Sequence, residues 1–370
     1  MDNLSFEMMI DRLSEYDKID SELIANIRLL NSENKKVREE AEEELFRRSY
    51  HQGDIGVVAP IVIPFFISRL DRETNSRILQ SLLIELGCLA SGSSRAMVMD
   101  DFEQEYTEVD RIQILEAIEL FSQTQNTIVT GLNRYCQFLS HESAMIRNSA
   151  VYVLMYCQFQ VENIIHVLRS AFEKENDENI KSLILFGIVI SSTRNQLNID
   201  TVFLNDIVSS SATDFVKFSA SVALAYVEEE NISEVVFAKL LELSKKDGMW
   251  ETLRYLESSL PFSILYFVSR LNDEQTFQLV DAMIQGWSLD ISTDELINLV
   301  FKCEDEEDFW EPRDINSISS LQLFFLTKVV ETENVRYGST LGSLLRTFSD
   351  QGYHEPTRET LIKLLSRRSN

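Results

Sequence analysis

A twelve-position pattern of polar and apolar residues occurs four times along this chain. Each copy opens on Asn, Ser, Asp or Thr, at Asn34, Ser143, Asp177 and Thr213. An apolar residue and a basic residue follow: Val37-Arg38, Ile146-Arg147, Ile180-Lys181 and Val216-Lys217. The next apolar position is Ala41, Ala150, Ile184 and Ala220, and the last is Leu45, Leu154, Ile188 and Leu224. Steps of four place these positions on one slowly drifting stripe of an α-helix, whereas a strand would require alternation. The opening side chain can accept a hydrogen bond from the first turn, so it reads as an N-cap worth ~1 kcal/mol. Alanine in three of the four copies points to close approach of a neighbouring helix.

The caps at 143, 177 and 213 are 34 and 36 residues apart, and 109 residues separate 34 from 143. Two degenerate copies are therefore expected in between, and the apolar patterns at 75–90 and 109–122 fill them. Each motif helix, helix B, needs a partner helix A before it, supplied by the patterns at 126–139, 161–174, 199–208 and 232–243. A hairpin of this size cannot bury its apolar face alone, but stacked hairpins share one continuous core. At roughly 36 residues per unit, about ten units fit the chain.

The remaining segments sort around this array. Residues 1–20 read as a lead-in cap helix, 21–300 as the repeat array, 301–316 as an acidic loop and 317–370 as capping helices. Pro60 and Pro64 predict a short or bent helix after the turn at Tyr50-His51-Gln52-Gly53. Beyond 246 the motif fades, with candidate helices at 250–260, 262–271 and 273–287. The tail predicts helices at 317–332, 339–348 and 357–367.

Composition narrows the function. The chain carries 60 Asp and Glu against 34 Lys and Arg, a net charge of −26. Nucleic acid would require a basic surface to release phosphate counterions, so a nucleic-acid partner is not expected. A basic protein would be attracted instead, with fast, salt-sensitive association. The rival account is that acidity only keeps a long repeat protein soluble. Cys88, Cys136, Cys157 and Cys303 are far apart and lack zinc or disulfide spacing, which suits core packing in a reducing cytoplasm. The start of the chain lacks the apolar core of a secretion signal. The longest apolar run, at 55–67, is too short to span a bilayer.

Candidate chemistry is sparse. His51, His141, His166 and His354 do not sit at metal-ligand spacing, and His141-Glu142 lacks the second histidine of a zinc-protease motif because Met145 stands there. No phosphate-cradling glycine motif occurs. Neither a cofactor nor a metal is expected, and the chain reads as non-enzymatic.

The repeat pattern resembles HEAT repeats, the helical hairpins of many protein-binding solenoids. The basic residues Arg38, Arg147, Lys181 and Lys217 match that family's position at the start of helix B. The stretch His51-Gln52-Gly53, followed by Ala59-Pro60 and Ile63-Pro64-Phe65-Phe66, resembles bacterial HEAT-repeat proteins of poorly known role, as does the tail. The resemblance implies an all-α, right-handed solenoid whose B helices line a concave face. Some such bacterial proteins look like antidotes or partners of toxins, which implies an immunity role here.

Counting about 100° per residue, positions five, eight, nine and twelve after the cap turn away from the buried stripe. They are Glu39, Glu42, Glu43 and Phe46 in the first copy, and Asn148, Val151, Tyr152 and Met155 in the second. The third has Ser182, Leu185, Phe186 and Val189, and the fourth Phe218, Ser221, Val222 and Ala225. Glu39, Glu42, Glu43, Asn148, Tyr152, Phe186 and Phe218 are the expected partner-binding residues, carboxylates at one end and ring anchors in the middle. A core role for Tyr152, Phe186 and Phe218 stands beside this reading, because B helices also touch their neighbours. An enzyme or enzyme subunit with an unrecognised site, or a structural adaptor, are the other classes open to such a chain.

Overall fold

The computed structural model describes residues 6, 9, 10, 13, 19–92, 108–256, 267–285, 299–301, 318–331 and 357–368. The protein is all-α; among the described residues its only sheet is a two-residue antiparallel ladder. It divides into two compact units, Met1–Ile199 and Asp200–Asn370.

The first unit contains α1 (Ser21–Leu29), α2 (Lys35–Ser49), α3 (Ala59–Leu70), α4 (Ser76–Ser91) and α5 (Glu108–Ile128). It continues with α6 (Leu132–Phe138), α7 (Ala144–Tyr156), α8 (Val161–Lys174) and α9 (Glu178–Arg194). Three motif copies start their helices one residue after the cap, at Lys35, Ala144 and Glu178. Asn34 accepts from the Lys36 N–H at 3.0 Å, and Asp177 from the Asn179 N–H at 2.9 Å. Ser143 stands at the cap position but makes no side-chain cap bond. Asn75 caps α4 in the same way as Asn34, accepting from Arg77 and Ile78.

Helices α2, α4, α7 and α9 pack side by side in a row. Contacts join residues at similar distances from their caps. Gly87 of α4 meets the Tyr152 ring of α7, and Gly187 of α9 lies against Val151 and Met155 of α7. The helices of the row therefore run in the same direction. Around the row, α1 packs on α2, α3 on α2 and α4, α5 on α3 and α4, and α6 and α8 on α7.

One expectation changes here. Among the described residues the row holds one helix between the copies at 34 and 143, α4, which packs directly on α7. The pattern at 109–122 lies instead within α5, which packs on α3 and α4 and passes through a tight turn at Val129–Gly131 into α6. Its place is fixed from afar: the Gln125 side chain donates to the Ala90 carbonyl of α4 at 2.7 Å, satisfying a carbonyl at the helix end. The expected helix after the turn is α3, twelve residues long, which continues through Pro64. An interior proline costs ~3 kcal/mol, but burying Val62, Ile63, Phe65, Phe66 and Ile67 returns roughly 1.5–3 kcal/mol each.

The turn at 50–53 closes a short hairpin, with Tyr50 paired to Ile55 and His51 to Asp54. Gln52 and Gly53 both have positive φ, +50° and +98°, as a two-residue hairpin turn requires. The lead-in at 1–20 is described only in part; Phe6 is buried against Phe65, ring edge to ring face at 5.1 Å.

The second unit contains α10 (Thr201–Ser209), α11 (Asp214–Glu228), α12 (Glu234–Ser244), α13 (Met249–Leu256), α14 (Asp273–Gln285), α15 (Ser320–Glu331) and α16 (Arg358–Arg368). The fourth motif copy forms α11, with Thr213 at its cap position and no side-chain cap bond. Successive contacts run α10 to α11, α11 to α12, α12 to α14, α14 to α15 and α15 to α16. The acidic loop at 301–316 apart from Phe301, the predicted helix at 339–348, Cys303 and His354 lie outside the described residues.

Close packing of the row yields a first expectation. A methyl on Gly87 would stand 2.3 Å from Tyr152 Cδ1, inside van der Waals contact. Gly87→Ala should lower stability by ~1–3 kcal/mol in chemical denaturation, the usual range for overpacking. The loss should shrink when Tyr152 is replaced by leucine; an equal loss in both backgrounds would count against this contact.

Candidate functional site

Measured from the cap, the same outward positions recur along the row α2, α4, α7, α9. Position two is Lys36, Arg77, Met145 and Asn179, all exposed. Position five is Glu39, Gln80, Asn148 and Ser182; the first three are half-buried and Ser182 is buried. Position nine is Glu43, Ile84, Tyr152 and Phe186, exposed in the first two and buried in the last two. The stripe is thus open at α2 and α4 and closes toward α9. Its exposed apolar members are Ile84, 40 % exposed, and Met145, 55 % exposed. The charged end is partly compensated within α2, where Lys35 pairs with Glu39 at 3.3 Å and Lys36 with Glu40 at 3.5 Å.

The seven expected partner-binding residues divide by burial. Glu39, Glu43 and Asn148 lie on the accessible part of the stripe. Tyr152 is 8 % exposed, and its hydroxyl lies 3.7 Å from the Cys88 sulfur. Its ring meets Tyr156 edge to face at 5.4 Å, and the Arg194 guanidinium covers Tyr156 at 5.1 Å. Phe186 is wholly buried in the first unit. Phe218 is wholly buried in the second, edge to face with Trp250 at 5.0 Å. Their burial favours packing for the three rings.

Glu42 departs most from its expected place. Position eight after the cap is an interhelical packing position, occupied by Leu83, Val151 and Leu185 in the other three helices of the row, all buried. Glu42 occupies it in α2 and is 3 % exposed. Facing it, α4 buries Glu85, 6 % exposed, where α7 has Val153 and α9 has Gly187. Ser81 donates to Glu85 Oε1 at 3.5 Å, and its hydroxyl acts on Glu42 as well, easing the rise of that carboxyl. Glu42 Oε1 and Glu85 Oε2 have no hydrogen-bond partner. Burial pushes the Glu42 carboxyl up to about 8, with the Glu73, Glu39 and Glu43 charges adding to the rise. Burial, then the charge of Glu42, holds Glu85 well above the carboxylate range.

The motif arginine has a defined task. Arg147 Nη1 donates back to the carbonyls of His141 and Glu142 at 2.9 and 3.0 Å. Its Nε and Nη2 donate forward to both oxygens of Glu175 at 2.7 and 3.0 Å. Glu175 stands two residues before the next cap and accepts from the Asn176 and Asp177 N–H groups. The same network forms around Arg38, which donates to Ser32 and Glu33 carbonyls and to Glu73; Glu73 accepts from the Asn75 N–H and from Arg69. One arginine therefore ties the turn before its own helix to the turn before the next helix of the row. In α4 the corresponding residue is Leu79, and the residue before the next cap is correspondingly His141, whose Nδ1 accepts from the Ser143 N–H at 3.0 Å. Sequence reading missed this partner, although Glu-x-Asn at 73–75 and Glu-x-Asp at 175–177 carry its signal.

An open cleft of about 570 Å³ lies beside this network, lined by Cys136, His141, Arg147, His166, Lys174 and Glu175 among others. Its chemistry is subdued. Arg147 and Glu175 hold each other, and burial pushes the Cys136 thiol up, away from the reactive thiolate. Among the described residues, no three His, Cys, Asp or Glu are placed to hold a metal ion, and no helix is long and apolar enough to cross a membrane.

The fold defines an all-α protein whose first unit is built on a packed row of helices. No protein-family model matches the chain, and no curated protein matches it.

Proposed function

We propose that this chain is a right-handed HEAT-type helical-repeat scaffold that recognises a basic protein and catalyses no reaction. The observation that carries the reading is the open stripe on α2, α4 and α7. It sets Glu39 and Glu43 beside the exposed aliphatic side chains of Ile84 and Met145. Accessible apolar anchors flanked by charge are what a protein-binding surface needs. The repeat assignment is supported by the recurrence of the arginine network at Arg38 and Arg147 and by contacts at similar distances from the caps along the row. Net acidity favours a basic partner, and neutralisation of a basic toxin is the most specific form of this reading.

The test is affinity capture from native lysate of the source cells, at low and high salt, with the wild-type chain and a Glu43→Lys, Ile84→Asp variant. The expected result is a basic protein retained by wild type at low salt, released at high salt, and lost or weakened about tenfold or more in the variant. Identical capture by both forms would remove the stripe from recognition.

A further inference from the structure

We infer that Glu42, Ser81 and Glu85 form a proton-dependent clasp between α2 and α4, closed while the pair holds its protons and loosened when both carboxyls ionise. The inference goes beyond the recognition reading and does not depend on it.

The geometry begins with a broken rule. Both carboxyls sit where the other helices of the row pack Leu83, Val151, Leu185, Val153 or Gly187. Among the described residues an ionised carboxylate there has little solvent and no salt-bridged cation to balance it, and each side chain keeps one oxygen without a hydrogen-bond partner. Two buried carboxyls that feel each other's charge cannot both ionise without a large cost, so the pair retains protons. A protonated carboxyl can donate a hydrogen bond, which lets the cluster satisfy itself around the Ser81 hydroxyl. A polar cluster at a packing position is also where a sequence that otherwise obeys its own repeat is expected to carry function.

The surroundings reinforce the effect. Glu39 and Glu43 act on Glu42 from α2 itself, and Glu73 acts from the turn before α4 while held by Arg38 and Arg69. Among the described residues the charges acting on Glu85 are those of Glu42 and Glu43, and no cation from α3, α5 or α7, which also pack on α4, offsets them. The Cys88 thiol, further along α4, is pushed up by burial and by Glu85, and Tyr152 of α7 faces it.

The sign follows from proton linkage. The folded chain holds protons that the unfolded chain releases above the ordinary glutamate range, so stability is full at acid pH and falls as pH rises through neutrality. The two carboxyls titrate as a pair, so the loss is a property of the clasp and not of either residue.

The experiment compares thermal unfolding of the full chain from about pH 5 to about pH 9 in wild type, Glu42→Gln, Glu85→Gln and Glu42→Leu. At pH 9 the glutamine variants should melt roughly 5–10 °C above wild type, while at pH 5 the difference should nearly vanish. Hydrogen exchange, corrected for its intrinsic pH dependence, should show α2 opening in wild type at pH 9 and not in the variants. Glu42→Leu restores the packing rule and keeps the test open if an amide is not accommodated. Parallel pH profiles for wild type and every folded variant would overturn the clasp. So would rescue of wild type at pH 9 by added calcium or manganese chloride, since a bound cation would then be the occupant.

Discussion

Replacing Glu175 with alanine is expected to destabilise the first unit by ~3–5 kcal/mol, the range for breaking one partner of a buried ion pair. For a unit of this size that is a fall in melting temperature of roughly 6–20 °C. Three losses combine. Arg147 is left with its Nε and Nη2 undirected, the Asn176 and Asp177 N–H groups lose their acceptor, and the turn before α9 is untied from the start of α7. Arg147→Lys should recover only part of the stability, because an ammonium cannot reproduce the two-pronged contact while also reaching the His141 and Glu142 carbonyls. Exposed Glu178 provides the control: its replacement by alanine should cost under about 0.5–1 kcal/mol. The effect has a pH signature. Burial alone would raise the Glu175 carboxyl, but the Arg147 guanidinium and the Asp177 and Asn176 N–H groups outweigh it and hold it below its ordinary value. Its stabilisation is therefore present above the usual carboxylate range and lost as pH falls through it. The gap between wild type and Glu175→Ala should close in acid; a gap independent of pH would show that the carboxylate charge is not what matters. The Glu42–Glu85 pair has the opposite slope, so the two can be separated by titration.

Phe186→Ala and Phe218→Ala should each cost ~3–5 kcal/mol, because both rings are wholly enclosed and their removal leaves cavities. Phe218 also gives up its edge-to-face contact with Trp250, which adds ~0.5–1.5 kcal/mol to area burial in such pairs. The measurement is denaturant unfolding, with Phe186→Leu and Phe218→Leu as volume-sparing comparisons that should lose much less. Unchanged stability in the alanine variants would return these rings to the recognition surface. The two substitutions fall in different units, so their effects need not fall on the same unfolding transition.

Much of the local architecture was legible. The four caps and the steps of four placed α2, α7, α9 and α11 to within a residue at their starts. In α2 and α9 the reason is a cap side chain bonding the N–H groups two or three residues on; in α7 and α11, whose caps make no such bond, the apolar steps of four carry the start. The second helix of the row, α4, carried the cap Asn75 without the arginine, and was read correctly as a helix but as one of two degenerate copies. The hairpin at Tyr50–His51 and Asp54–Ile55 was read only as a turn, since two-residue strands are too short to show alternation.

The candidate site was legible in outline and misjudged in depth. Positions five and nine after the cap do form one stripe, as helical geometry requires. Position eight, only one residue from that stripe, turned out to be the seam between neighbouring helices, and that moved Glu42 from a surface carboxylate to a buried one. Counting degrees around one helix gives a direction, but it does not say how close the next helix stands. Gly87 and Gly187 let the row close up, and neither residue belongs to the motif.

What this chain settles by itself is everything carried by neighbours within about a turn: which stretches are helical, where they begin, and which side of each is apolar. What only the tertiary structure decided is which outward-facing groups stay in water. Glu43 and Ile84 remain accessible, Tyr152 and Phe186 are enclosed, Glu175 finds Arg147 across 28 positions of sequence, and Glu42 meets Glu85 across two helices. Burial and charge are set by atoms contributed from distant parts of the chain, and the pattern of any one helix holds no record of them.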